Sequence, residues 1–365
     1  MDLMKGSTSM ALLAKKYSGF ASPTAHVRVD GKDLADKLGA GLSEITVDLS
    51  CEYPASGCGF DVVGAWDPAK SAFVPAIART LQLGAKVELE LGYIATECVF
   101  CGLITAVNYV FDNETAPFLH VDCMDAKCLL MKMQRLEVRS ERDVGRLASA
   151  LLGEPPVSTY LTGKSVLVPG AQAEQLHMGM ESDFDYLVHQ AEYLGCEFFI
   201  QAGRAYFRSP PPAAPAILTL SPDGGLYTAS LALQAAPLVK TVTVAGIDPE
   251  SDKRLSASAS LKGRFGSGAG PQRMLGGTER AYYDSRVLSA AQAQKRADIL
   301  LADIQRQFGQ LQASCRGLPE LVPGRTLRLH GLGASMDRSY YLTRVRHTLN
   351  DSGFTTALEA RIDSL

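Results

Sequence analysis

Apolar and polar residues alternate along most of the chain between Ala25 and Arg135. HVRVDG from His26 and ITVDLS from Ile45 have the period of two that turns one side of a strand to a core and the other to water. KVELELGY carries Val87, Leu89 and Leu91 on one face and Lys86, Glu88 and Glu90 on the other. CVFCGLITAVNYVF and FLHVDCMD follow, with turn clusters such as PASG between runs. Short alternating strands at this spacing predict a small antiparallel β-barrel over residues 23–135. Residues 1–22 lack the pattern and read as a flexible N-terminal arm.

The period then changes. SERDVGRLASALLG predicts a helix with Ser140 and Asp143 in capping-box spacing, Val144, Leu147 and Leu151 on one stripe, and Gly153 before Pro155-Pro156. A second helix opens at Ser182, buries Phe184, Leu187, Val188, Ala191 and Leu194, and ends at Gly195. CEFFIQAGRAYFR predicts a hairpin turning at Ala202-Gly203. Residues 136–212 therefore form an α+β module, closed by the stiff stretch SPPPAAPA.

Strands resume over 213–250. The polar, Gly-rich stretch from Ser251 to Thr278 predicts a long mobile loop. Ser289 to Phe308 has the stripe of an amphipathic helix, with Ala297, Leu300, Leu301, Ile304 and Phe308 inward. The last strand-like runs are GRTLRLHGLG, SYYLTRVRHTL and TTALEARI. These assign 213–250 and 318–365 to a second β-barrel, interrupted by a helix-containing insertion at 251–317. The fold class is mainly β with α+β insertions.

The end of the chain echoes the first barrel. GAKVELELGY aligns with GRTLRLHGLG, so that Gly84 falls on Gly324, Val87 on Leu327 and Leu89 on Leu329. With one residue of slip, Phe100 falls on Tyr341 and Ile104 on Val345. The shared order of Gly start, strand, turn, aromatic strand, polar turn and strand points to duplication. Three chains with two like barrels each would present six like surfaces to a sixfold partner.

Composition narrows the function. The 365 residues carry 36 Lys+Arg against 39 Asp+Glu, a net charge of −3, which argues against a nucleic-acid backbone as the main partner. No apolar run approaches the ~20 residues that span a bilayer, and the first twenty residues do not read as a signal peptide, so folding in the cytoplasm is expected. Of the eight cysteines, Cys98 and Cys101 have metal or redox spacing. In a regular strand, residues three apart point to opposite faces, so the pair chelates nothing unless the strand bends. Buried reduced thiols are the expected state. No GxxxxGK[ST], GxSxG or HExxH occurs. His347, between Arg346 and Thr348, reads as a structural hydrogen-bonding residue. Catalytic, cofactor and metal sites are not expected.

ESDFDYLVHQAEYLGCEFFIQAGRAYFR at 181–208, VPGRTLRLHGLG at 322–333, YYLTRVRHTLNDSGFTTALEARI at 340–362, and LGAKVELELGY with the following CGLIT together give the sequence a resemblance to a known family. It resembles phage late control protein D and the N-terminal part of VgrG spike proteins, the hub family of contractile tails and injection systems. The signature or interface candidates are Gly84, Gly92, Tyr93 and Gly102 in the first barrel, and Asp183, Leu187 and Gly195 in the α+β module. In the second barrel they are Pro323, Gly324, Arg325, Tyr341, Arg346 and His347. The resemblance implies a non-enzymatic homotrimeric hub that joins a hexameric tail tube ring to a central spike, among other baseplate components of a phage tail or contractile particle. The chain ends soon after the second barrel, so the spike is expected on a separate polypeptide. Two rivals make different demands. An OB-like oligonucleotide or glycan binder needs stacking aromatics and a basic groove, and a spike-associated cell-wall hydrolase needs convergent carboxylates.

Overall fold

The structure is a computed structural model and describes residues 2–111, 115–139, 143–168, 176–178, 181–211, 214–262 and 274–362. The first β module is built from β1 (Thr24–Val29), β2 (Lys32–Asp33), β3 (Gly41–Ser50), β4 (Gly57–Val63), the small hairpin β5 (Trp66–Asp67) and β6 (Ala72–Phe73), β7 (Lys86–Gly92), β8 (Thr96–Val110) and β9 (Phe118–Met124). Alternation sorts the faces: Val87, Leu89 and Leu91 are fully buried, while Glu88 and Glu90 between them keep contact with solvent.

The N-terminal stretch is packed, where its weak pattern predicted a flexible arm. Ser9 caps helix α1 (Met10–Lys16) by accepting from the Leu12 amide. Leu3, Leu13 and Tyr17 are buried in the main core. The Tyr17 hydroxyl donates to Glu320 at 2.6 Å, and Lys16 bridges Glu97 and Glu320 at 2.8 and 2.7 Å. The surface that holds this segment is built from residues distant in sequence, from Tyr93 and Glu97 to Glu320 and Arg325, so no local pattern announces it.

The small helices α2 (Leu34–Leu38) and α3 (Pro75–Thr80) decorate the first module, and α4 (Lys127–Leu130) packs Leu130 into the core of the next. The α+β module follows, with β10 (Glu137–Arg139), α5 (Val144–Leu151), β11 (Gly163–Leu167), β12 (Leu176–Met178), α6 (Asp183–Leu194), β13 (Glu197–Gln201) and β14 (Arg204–Arg208). Asp143 itself caps α5 by accepting from the Arg146 amide, while Ser140 lies outside the described residues. Ser182 caps α6, and Gly195 closes it at φ +65°. A second core of Leu147, Leu151, Leu187, Phe198 and Phe207 holds the two helices on the β11–β14–β13 sheet.

The second β module begins with β15 (Thr219–Leu220) and β16 (Leu226–Leu233). Next, β17 (Thr241–Ile247), β18 (Arg254–Ser260) and β19 (Glu279–Tyr283) form a separate sheet on which α7 (Ala290–Arg306) lies. β20 (Gly309–Arg316), β21 (Thr326–Leu329), β22 (Ser339–Asn350) and β23 (Gly353–Ile362) complete the module. The insertion therefore includes β17, which its alternation assigns to the barrel. It excludes β20, and β18 stands where the predicted loop began. Alternation identifies a strand but not the sheet it joins. The rest of that loop, residues 263–273, lies outside the described residues.

The two β modules share one topology. The first has spatial order β1-β7-β8-β9-β4-β3, and the second has β15-β21-β22-β23-β20-β16. Ranked along the chain, the six strands of each fall in the same order. β15 runs parallel to β21 whereas β1 runs antiparallel to β7. Antiparallel pairing of β3 with β22 joins the modules into one 13-stranded sheet.

Candidate assembly interface

Equivalent hydrogen bonds fix which residues correspond. The Gly84 amide donates to the Ile104 carbonyl at 2.9 Å, and the Ile104 amide donates back to Ala85 at 3.0 Å. In the second module the Gly324 amide donates to Leu342 at 2.9 Å, and the Leu342 amide donates to Arg325 at 2.8 Å. One residue further on, each long strand bulges against its partner, at Thr105 and at Thr343. Each bulge is pinned alike: Thr105 donates to the Asp122 carbonyl at 3.1 Å and Thr343 to the Glu359 carbonyl at 3.2 Å. Ile104 is thus the counterpart of Leu342, not of Val345 as plain alternation aligned it. A bulge shifts the period by one, and β8 carries two.

The junction inside the chain pairs Val345, His347 and Leu349 with Leu49, Val47 and Ile45. On the other face Arg344 and Arg346 both donate to Asp48, at 2.7 and 2.6 Å. Burial pushes the Asp48 carboxyl up, but the two guanidinium bonds outweigh it and hold it below the usual range. Arg346, a candidate contact for an outside partner, serves this junction.

The same two edges recur unpaired. Among the described residues no strand pairs with β8 beyond Ile104 on its β7 side, the edge that in β22 receives β3, and β16 ends the sheet. Carrying the equivalence through the paired registers makes Leu231 and Leu233 the counterparts of Val47 and Leu49, and Tyr109 the counterpart of His347. Val47, Leu49 and His347 are buried at the junction. On the open edges, Tyr109 is 58% exposed and Leu233 54%, with Phe111 just past β8 at 68%. Tyr109 and Phe111 rest against Phe73 and Trp66 of the β5–β6 hairpin, with ring centroids 5.1 and 6.3 Å apart. Large apolar side chains in water at positions whose twins are buried mark a surface built to be covered.

The remaining candidates do not gather into one site. A Cβ at Gly92 would meet the Ala95 carbonyl at 2.2 Å, and one at Gly102 the Met124 carbonyl at 2.2 Å, so both mark close backbone approaches. Tyr93 is buried and donates to the Gly317 carbonyl at 3.1 Å, tying one module to the other. Asp183 is fully buried and accepts from Arg135 at 2.9 Å, and Leu187 sits in the second core. Ile299 packs over Gly195. Pro323 is buried, and Arg325 donates to the carbonyls of Leu3, at 2.6 Å, and of Gly6. Tyr341 donates to buried Glu197 at 2.8 Å. His347 shares a 2.9 Å hydrogen bond with Thr356, and burial lowers its pKa to about 4. Among the described residues, His26, Asp33 and Asp36 converge as possible metal ligands, but Asp33 is already engaged as the cap of α2 and with His26 at 3.1 Å. Sequence reasoning missed the β16 and β8 edges. Exposed aromatics at the end of an otherwise alternating run were the available signal.

A model of the Alg8 N-terminal domain family matches residues 22–351. No curated protein matches the chain. Among solved structures, the tail protein from Neisseria meningitidis MC58 is 15% identical with a TM-score of 0.69, over 94% of this chain and 97% of that one. The 43 kDa tail protein of prophage MuSo2 from Shewanella oneidensis is 12% identical with a TM-score of 0.70, over 94% and 99%. An E. coli component of the type VI secretion system is 12% identical with a TM-score of 0.59, over 92% and 76%. At these identities the likeness is one of fold, and it runs through nearly the whole chain. The description of the matched family names neither late control protein D nor VgrG.

Proposed function

The chain belongs to the Alg8 N-terminal domain family, and from its doubled β architecture and the fold it shares with tail proteins we propose that it is a structural hub of a contractile tail or injection-system baseplate. Three copies form the hub. Within one chain, β22 of the second module pairs with β3 of the first. Between chains, β8 of the first module pairs with β16 of the next copy's second module in the equivalent register. Tyr109 then faces Leu231, Asn108 faces Ala232 and Val107 faces Leu233. Three such junctions alternate with the three internal ones and close a ring of six like modules. Such a ring meets a hexameric tail tube on one side and a threefold spike on the other. The work is geometric, adapting symmetry and passing axial force, rather than catalytic. Among the described residues no helix is long and apolar enough to cross a membrane.

The observation that carries this reading is the recurrence of the β3–β22 junction as two open, complementary edges. Covering each of these half-exposed apolar side chains contributes roughly 1 kcal/mol, and the edge amides and carbonyls gain partners. The test is a cross-link. Asn108→Cys and Ala232→Cys in one chain should yield covalent trimers on mild oxidation, and native mass spectrometry of the unmodified chain should show three copies. A monomer at high protein concentration, or a trimer that leaves both engineered thiols free, overturns the reading.

A further inference from the structure

Two thiols meet in a cleft that neither the internal junction nor the open edges use. β8 pairs with β7 through a bulge in which Leu89 faces Phe100 and Glu90 faces Cys98, leaving Val99 as the extra residue. The bend that a regular strand would deny is therefore present. With Val99 out of the count, Cys98 and Cys101 become neighbours on one face, and their sulfurs lie 3.4 Å apart. It is the polar face of β7, where Glu90 and Glu88 stand opposite the two cysteines. A cleft of about 430 Å³ opens over them, lined also by Thr162, Arg204 and Tyr206. Cys98 is half-buried, whereas the other seven cysteines, Cys101 among them, are buried.

We propose that Cys98 and Cys101 are a thiol–disulfide exchange site, which closes into an intrachain disulfide on reaction with a small organic disulfide such as oxidised glutathione. The Cys98 thiolate attacks one sulfur of the reagent, forms a mixed disulfide and expels the first glutathione thiolate. Cys101 then gives up its proton and attacks the Cys98 sulfur, expelling the second. Two protein thiols lose two electrons, and the reagent takes up those electrons with two protons to leave as two thiols. The order follows from access and charge. The contact between the two sulfurs lowers the Cys98 pKa and, together with burial, raises that of Cys101. Closure asks the sulfurs to approach from 3.4 Å to about 2 Å, within the reach of side-chain rotation in a strand already bent.

The experiment treats the full chain with oxidised glutathione, alkylates the remaining thiols, digests and weighs the peptide containing residues 98–101. The expected product is that peptide lighter by two hydrogens, unalkylated at both cysteines, and restored by dithiothreitol. Cys101→Ser should stall with glutathione on Cys98, while Cys98→Ser should leave Cys101 unmodified. In the untreated protein, Cys98 should alkylate at least about tenfold faster than the buried cysteines. Recovery of both cysteines alkylated after treatment, or equal glutathione addition in the two variants, overturns the proposal. Should either variant not fold, the peptide from the unmodified chain decides alone.

Discussion

The carbonyls of Gly84 and Gly324, counterparts in the two β modules, are both held by the single α+β module between them. Tyr160 donates to Gly84 at 2.7 Å, and Arg208 donates to Gly324 at 2.8 Å. One small module thus grips both halves of the duplicated sheet at the same turn. The turn requires glycine in both places, since φ is +83° at Gly84 and +78° at Gly324.

The surroundings of these twins differ, and that gives a graded prediction. A Cβ at Gly84 would find only the Tyr160 hydroxyl, at 3.8 Å, whereas one at Gly324 would lie 3.0 Å from both the Phe199 ring and the Arg208 guanidinium. Gly84→Ala should cost about 1–2 kcal/mol, the left-handed backbone term alone. Gly324→Ala should cost roughly 1 kcal/mol more, because Phe199 and Arg208 must shift. Urea unfolding of the two variants checks the order, and equal midpoints would contradict it.

Glu197 is the hinge of the grip on the second module. Burial pushes its carboxyl up, against the pull of the Tyr341 hydroxyl and the charges of Arg361 and Arg208. Tyr341→Phe removes the one short bond, leaving Arg361 at 3.5 Å, Arg208 at 3.7 Å and the Cys51 thiol at 3.7 Å. A loss of roughly 1.5–3 kcal/mol is expected for a buried charged acceptor that loses its donor. A Tyr341→Phe chain with an unchanged unfolding midpoint would show that the remaining partners suffice.

How much of this the sequence carried depends on range. The caps at Ser182 and Gly195 and the turn at Ala202-Gly203 are local, and their chemistry names them in advance. The strands of both modules were legible for the same reason, because period-two burial is written within a few residues. The duplication was legible in order but not in register, since Thr105 and Thr343 look like any strand threonine until their bulges are seen. Leu3 and Tyr17, docked on residues some three hundred positions away, left no local trace. Aromatics at the end of the β8 run were the local signal of an open edge, but that Tyr109 and Leu233 stand uncovered where their counterparts His347 and Leu49 are buried needs the fold.

Asp48 receives both Arg344 and Arg346 at the internal junction, yet these side chains are about half exposed, 45% and 54%. Water screens them, so the cluster should add little to stability. Arg346→Ala should cost less than about 1 kcal/mol. Asp48→Ala should cost more, because it leaves two like charges side by side. A double-mutant cycle on Asp48 and Arg346 checks this, and a coupling well above 1 kcal/mol would mean that the junction excludes water better than these exposures imply.

His347 should make the protein acid-sensitive. It is fully buried between β3 and β23, and burial lowers its pKa to about 4 although a backbone bond to Leu321 opposes the shift. An unfolded histidine titrates near about 6.5. Between these values the unfolded chain binds a proton that the folded chain refuses, so stability falls as pH drops from about 6.5 towards 4. The full effect is about 3 kcal/mol, from the difference between those two pKa values. Glu197 and Asp125 work in the opposite sense, because burial has raised both carboxyls and the folded state gains relative stability as they protonate. The raw pH profile therefore mixes signs, and the informative quantity is the difference between the natural chain and His347→Gln, which keeps a polar partner for Thr356. That difference should shrink steadily as pH falls through this window and level off below about 4. A difference independent of pH would show that folded His347 binds a proton as readily as the unfolded chain does, so that its burial does not shift it.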